Sequence, residues 1–341
     1  MRKQRVLVLM HESLVPPDTI EGVSDKEMAD WKMEYDVCAT LENLGHDVKP
    51  LGLSDDLTQL RREILDWKPQ VAFNLLEEFH NVATYDQHVV SFLELMRQPY
   101  TGCNPRGLML SHDKTLSKKI LHYHRILTPK FASFQWNRAF RAPTKLTYPL
   151  FVKSSTEDAS FGIAQASVVY NVDELRERVR FVHDQTKSDA LVEEFIEGRE
   201  LYVGVMGNQR LQTFPIWELI FGNMPEGVAR IATRKVKWDH RYQEKHGIDT
   251  GPAKNLPPGM EAKILRLCKR IYRLLYLSGY ARMDLRLTED GRIYVLEANA
   301  NPNISFGEDL AESAELAGIS YQDLLERMMS LAKSYKVEWM H

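Results

Sequence analysis

The sequence predicts an α/β chain in which a small doubly wound domain precedes an α+β half. Three observations carry this. Short apolar runs alternate with helical periodicities over the first hundred residues. After Gly102 that alternation gives way to strands that follow one another directly. Near the end, two strands joined by a tight turn carry Arg, Asp, Glu and Asn at alternating positions.

The elements follow in order. Residues 5–10 (RVLVLM) read as a fully buried strand. A polar loop with Pro16, Pro17 and Gly22 leads to Ser24 and Glu27, spaced as a capping box. Met28, Trp31, Tyr35, Cys38 and Leu41 recur at helical spacing up to Gly45. Strands at 48–51 and 71–76 flank a helix marked by Leu57, Leu60, Ile64 and Trp67, and a helix at 87–97 ends before Pro99. This β-α-β-α-β-α order predicts a parallel sheet covered by helices. Beyond it, 113–123 reads as helix, 148–153 and 163–170 as strands, and 171–185 as helix. Strands are expected at 190–195 and 200–206, with 209–217 continuing the sheet. Residues 221–258, rich in Gly, Pro and charge, read as a long functional loop. A helix at 260–277 precedes strands at 281–287 and 292–298, and one last helix spans 310–333.

Composition narrows the classes. The 341 residues are 44% hydrophobic and 27% charged, ordinary for a globular protein of two or three domains. A net charge of −3 gives no basic footprint, so no nucleic-acid partner is expected. Cys38, Cys103 and Cys268 are scattered and lack CxxC spacing, which argues against disulfides or zinc and for a reduced, cytoplasmic setting. The apolar stretch at 6–10 is too short for a signal core or a membrane span.

The final hairpin carries the most chemistry. Side chains alternate across a strand, so Arg282 and Asp284 share a face, as do Glu297 and Asn299. Antiparallel pairing brings the four together. Two carboxylates and an amide oxygen form a hard oxygen site suited to Mg²⁺, and an adjacent Arg stabilises developing negative charge. The alternative is a surface hairpin of alternating charges; Glu297 in the apolar run 293–296 weighs against it, since a lone carboxylate there is costly to bury. Lys153 ends an apolar strand before the polar turn 154–162, placed to reach phosphate, although that pattern alone is commonplace. At 191–196, followed by Gly198 and Glu200, an extended backbone offers a donor and an acceptor to an adenine edge, and Glu200 an acceptor to ribose. Taken alone, that stretch reads more simply as a plain strand with exposed acids.

Six motifs in this order resemble the ATP-grasp superfamily, in its D-alanine–D-alanine ligase-like branch: PYTG102, DK114, FVK153, LVEEFI196 with Glu200, ARMD284 and LEAN299. The resemblance spans about residues 98–330. It implies an ATP-grasp fold behind an N-terminal pre-ATP-grasp domain, with domains at 1–110, 111–190 and 191–341. It implies that Lys114 and Lys153 hold the ATP phosphates under a mobile loop containing Ser160 and Gly162. Glu193, Phe195 and Ile196 correspond to the adenine hinge, and Glu200 to the ribose acceptor. Asp284, Glu297 and Asn299 correspond to the ligands of two Mg²⁺ ions, a site open also to Mn²⁺. Arg282 corresponds to the arginine that stabilises the acyl phosphate and tetrahedral species, and Lys237 to the loop lysine that closes on the phosphates. The implied reaction joins a small-molecule carboxylate to an amine, or to a peptide, through an acyl phosphate. A homodimer is the family-level expectation.

The substrate positions depart from that family. The Gly-Gly turn after the first strand is replaced by MHESLVPP17, and a His-Gly segment by LLEEFH80. Glu308 stands near the place of a Ser that helps hold the second substrate. An acid there repels a carboxylate and favours an amine or guanidinium. His11 and Glu12 end the first strand at the edge where open α/β sheets bind ligands, as candidate substrate contacts or as caps of the loop. Trp217, Trp238 and Tyr242 are candidates to line the cleft, with core packing the alternative for Trp217. These departures predict ligase chemistry on a substrate pair other than two D-alanines, with an authentic D-alanine–D-alanine ligase or a non-catalytic ATP-binding protein as the alternatives.

Overall fold

The computed structural model describes residues 3–17, 23–156, 163–225 and 227–337. The chain opens with β1 (Arg5–His11), whose five central residues are buried because helices cover both faces of a parallel strand. Next come α1 (Asp25–Asp30), α2 (Lys32–Asn43), β2 (Asp47–Leu53), α3 (Thr58–Asp66), β3 (Val71–Asn74) and α4 (Asp86–Leu95). The three strands form a parallel sheet in the order β2-β1-β3. The single helix expected from Met28 onward is broken at Trp31, which leaves the helical region at φ −125°, ψ 22°. The capping box of Ser24 and Glu27 involves a side chain outside the described residues.

A helix that periodicity does not reveal follows: α5 (Pro105–His112) starts with Asn104 accepting from the Gly107 N–H and Pro105 in the first turn. Asp113 caps α6 (Lys114–Tyr123) by accepting from the Leu116 N–H at 2.8 Å. Four strands then form a sheet in the order β4-β7-β5-β6: β4 (Phe131–Phe134), β5 (Leu150–Ser154), β6 (Val168–Val169) and β7 (Ala190–Glu194). The strand expected over 163–170 is limited to β6, and α7 (Val172–Thr186) covers one face of this sheet.

The remaining sheet is antiparallel. It comprises β8 (Arg199–Met206), β9 (Gln212–Thr213), β10 (Trp217–Phe221), β11 (Ile248–Pro252), β12 (Tyr280–Leu287) and β13 (Ile293–Ala300), with β13 at one edge. The expected loop at 221–258 instead holds α8 (Arg234–Trp238), α9 (His240–His246) and β11, over a small core of Tyr202, Trp217, Leu219, Val236 and Ile248. Trp217 is therefore core, and Tyr242 packs beside it. The helix α10 (Met260–Leu274) covers the sheet. The last helix is two, α11 (Asp309–Leu316) and α12 (Tyr321–Ser334), because Ser320 caps a fresh start by accepting from the Asp323 N–H.

The cores show how these pieces group. Leu7 and Leu9 of β1 share one cluster with Leu201, Met283 and Val295 of the antiparallel sheet. Val6, Val8 and Met10 share another with Tyr280, Leu310 and Leu324. The four-stranded sheet packs its own cluster, including Leu150, Val152, Val179 and Val192. Among the described residues, no helix is long and apolar enough to cross a membrane.

Candidate active site

The hairpin β12–β13 does what strand alternation requires. Asp284 pairs with Glu297 and Arg282 with Asn299, just before a register shift after Asp284. Arg282 grips Asp284 with two parallel bonds, Nε to Oδ1 at 2.8 Å and a terminal nitrogen to Oδ2 at 2.9 Å. The Asn299 amide donates to the same Oδ2 at 3.0 Å. Arg282 also lies 4.6 Å above the Tyr202 ring and 3.8 Å from Asp309. Burial pushes the Asp284 carboxyl up, against the pull of Arg282; burial works against Arg282 too, and Asp284 holds that guanidinium firmly charged.

A lysine faces this hairpin from the four-stranded sheet. Lys153, 8% exposed at the end of β5, is 3.1 Å from Glu297 and 3.4 Å from Glu193. Burial opposes its charge, but the two carboxylates raise its pKa above the usual lysine value. Glu297 shows the converse: burial opposes ionisation, and Lys153, Lys114 and Lys237 together depress its pKa below the usual carboxylate range. Lys237 also acts electrostatically on Asp284 and Glu308, whereas its neighbour Lys235 is exposed. The structure therefore gathers Lys114, Lys153, Lys237, Arg282, Asp284, Glu297 and Asn299 into one charged region.

The other expected residues are placed as follows. The Glu193 carboxylate turns to Lys118 and Lys153, while the Phe195 N–H donates to the Pro149 carbonyl at 2.9 Å. Ile196 is half-buried beyond the end of β7. Glu200 is held by Arg286 at 2.5 Å and by the Tyr202 hydroxyl at 2.9 Å. Glu308 stands at the N-cap of α11, but its side chain does not cap the helix. Burial and Asp309 push its pKa up, against Lys32, Arg282 and Lys237. His11 caps a turn: its Nδ1 accepts from the Ser13 N–H at 3.3 Å, and Nε2 is 3.6 Å from Glu78. Glu12 is exposed in that turn. Ser160 and Gly162 lie outside the described residues.

Sequence reasoning missed Lys118, Arg286 and Asp309. Lys118 did carry a signal, since it follows Lys114 by four residues and so shares its helix face. Among the described residues no group of three His, Cys, Asp or Glu side chains could hold a metal. Two carboxylates and an amide fit an ion that takes its remaining ligands from water and substrate phosphate, as Mg²⁺ does.

Comparison with known proteins shows the family. The family described as D-ala D-ala ligase C-terminus matches residues 119–330. The chain is 32% identical over 305 residues to the uncharacterized protein y4sG of Sinorhizobium fredii, covering 87% of this chain and 86% of that one. It is 28% identical to the D-alanine–D-alanine ligase of Desulforudis audaxviator, over 92% of this chain and 96% of that one. The fold is similar to that of the Bacillus anthracis D-alanine–D-alanine ligase complexed with ATP, with a TM-score of 0.72, 23% identity and coverage of 96% and 97%. It is likewise similar to the VanG D-Ala:D-Ser ligase of Enterococcus faecalis, with a TM-score of 0.71, 19% identity and coverage of 97% and 100%. The chain thus belongs to the D-alanine–D-alanine ligase family of ATP-grasp enzymes and is an ATP-dependent ligase that forms C–N bonds.

Proposed function

We propose that the enzyme joins the carboxylate of one amino acid or small peptide to the amine of another, on a pair other than two D-alanines. The observation that carries this reading is the Arg282–Asp284–Glu297–Asn299 group opposite buried Lys153. A substrate carboxylate oxygen attacks the γ-phosphorus of ATP, and ADP leaves. The amine nitrogen then attacks the acyl carbon, loses a proton, and phosphate leaves. Lys114, Lys153 and Lys237 neutralise the transferring phosphoryl group, and Arg282 stabilises the oxyanion of the tetrahedral species. Asp284, Glu297 and Asn299 would hold Mg²⁺, which supplies charge neutralisation at the phosphates. Ile196 offers its backbone to the adenine, since the Phe195 N–H is already engaged. The loop containing Ser160 and Gly162 would shield the acyl phosphate from water. The lobe boundaries at 1–110, 111–190 and 191–341, and a cytoplasmic location, belong to the same reading.

Glu308 directs the choice of partner. Its carboxylate is not used as a helix cap and lies within electrostatic reach of Arg282 and Lys237. It therefore favours a substrate that brings a cation to this position over one that brings a carboxylate. His11 and Glu12, at the end of β1, are further candidate substrate contacts. The test is ADP release with Mg²⁺ across a panel of amino acids, dipeptides and cationic amines, with product mass as readout. Release needing both an acid and an amine, with Glu308→Ser shifting preference from cationic towards carboxylate-bearing acceptors, is the expected result. ATP binding without turnover on any pair would overturn the ligase reading. An unchanged preference in Glu308→Ser would remove Glu308 from it.

A further inference from the structure

Lys118 is buried beside this site, and the reaction scheme makes no use of it. It is 2% exposed on α6, and its Nζ lies 2.6 Å from Glu193 Oε1. The same ammonium donates to the Leu296 carbonyl at 2.7 Å. Because β13 is an edge strand, backbone groups on its outer side need partners from elsewhere. The Val295 N–H finds the Leu127 carbonyl at 2.9 Å, and the Leu296 carbonyl finds Lys118. Leu296 immediately precedes Glu297. Glu193, in turn, is shared with Lys153, and Lys153 with Glu297. The contacts close a circuit: Lys118, Glu193, Lys153, Glu297, and back along the chain through Leu296.

We propose that Lys118 is a positioning residue, aiming Glu297 through the Leu296 carbonyl and occupying Glu193 so that Lys153 stays shared between two carboxylates. This rests on the ligase reading above. Without Lys118, a buried Glu193 keeps Lys153 as its counter-charge and draws it away from Glu297 and from any phosphate. The edge of β13 also loses the donor that sets the direction of Glu297.

The test uses a non-hydrolysable ATP analogue with Mn²⁺, followed by titration calorimetry and by the Mn²⁺ magnetic-resonance signal, with melting curves alongside. Lys118→Met is expected to weaken Mn²⁺–nucleotide binding on the order of 10–100-fold, and Lys118→Arg to recover most of that loss. If Lys118→Met does not fold, Lys118→Gln, which retains an N–H donor without charge, is measured instead and is expected to weaken binding in the same direction. A folded variant that melts earlier yet binds as the unmutated chain does would overturn the proposal, leaving Lys118 a purely structural lysine. Failure of the unmutated chain to bind the analogue would overturn the ligase reading, and this inference with it.

Discussion

Glu34 is 2% exposed on α2, and among the described residues its Oε1 has no hydrogen-bond partner. Burial, with a smaller contribution from Glu77, pushes its pKa up to about 7. A carboxyl raised in the folded state is comfortable when protonated, so its contribution to stability is complete below the unfolded value near 4.5 and is lost as pH rises through about 7. Glu34→Gln is therefore expected to change melting little at pH 4.5 and to stabilise the protein at pH 8, on the order of 2–3 kcal/mol. Melting curves at the two pH values check it; equal shifts at both would contradict it. The juxtaposed residues of the β12–β13 hairpin were legible in the sequence because alternation places them on one face without knowledge of the fold. The ion pairs of Lys118 and Arg286 were not, because their carboxylate partners, Glu193 and Glu200, lie on other elements far along the chain. Sheet register sets Arg286 opposite Glu200, and the packing of α6 brings Lys118 to Glu193.

At the scale of elements, long periodic segments were readable and short ones were not. The helices α3, α6, α7 and α10 stand close to where their apolar spacing puts them. The helices α8 and α9 span five and seven residues, too few for a period to declare itself against the Gly and Pro around them. The break before α12 did carry a local signal, Gly318 at φ +78° followed by the Ser320 cap, whereas Trp31 leaves the helical region with no side-chain cap to announce it. The junction between the first sheet and β12 is set by backbone contact. A Cβ on Gly279, at φ +67°, would stand 2.3 Å from the Gly102 carbonyl oxygen, and Gly102 itself abuts the Asn301 side chain. The Cys103 N–H also donates to Asn301 Oδ1 at 2.8 Å, two residues beyond Asn299. Gly279→Ala is therefore expected to cost about 3 kcal/mol or more and to lower activity even where the protein folds, by displacing the Asn299–Asn301 segment. Denaturant unfolding of the variant, with ADP release at a temperature where it remains folded, measures both effects.

For the molecule as a whole, the order of motifs made the nucleotide-binding half readable, while the grouping of its parts depends on packing that no single stretch reveals. ATP with Mg²⁺ is expected to raise the melting temperature, since a ligand at a hundredfold excess over its Kd adds about 2.7 kcal/mol; Glu297→Ala should erase most of that shift. An equal shift in both proteins would place the metal elsewhere. The division of the cores adds a mechanical consequence. The parallel sheet and the antiparallel sheet share two hydrophobic clusters and are stitched at Gly102 and Gly279, whereas the four-stranded sheet keeps a cluster of its own. The Lys153–Glu297 pair therefore spans two separately packed bodies, with Arg282, Asp284 and Glu297 standing on the shared cores and Lys153 on the sheet that keeps its own.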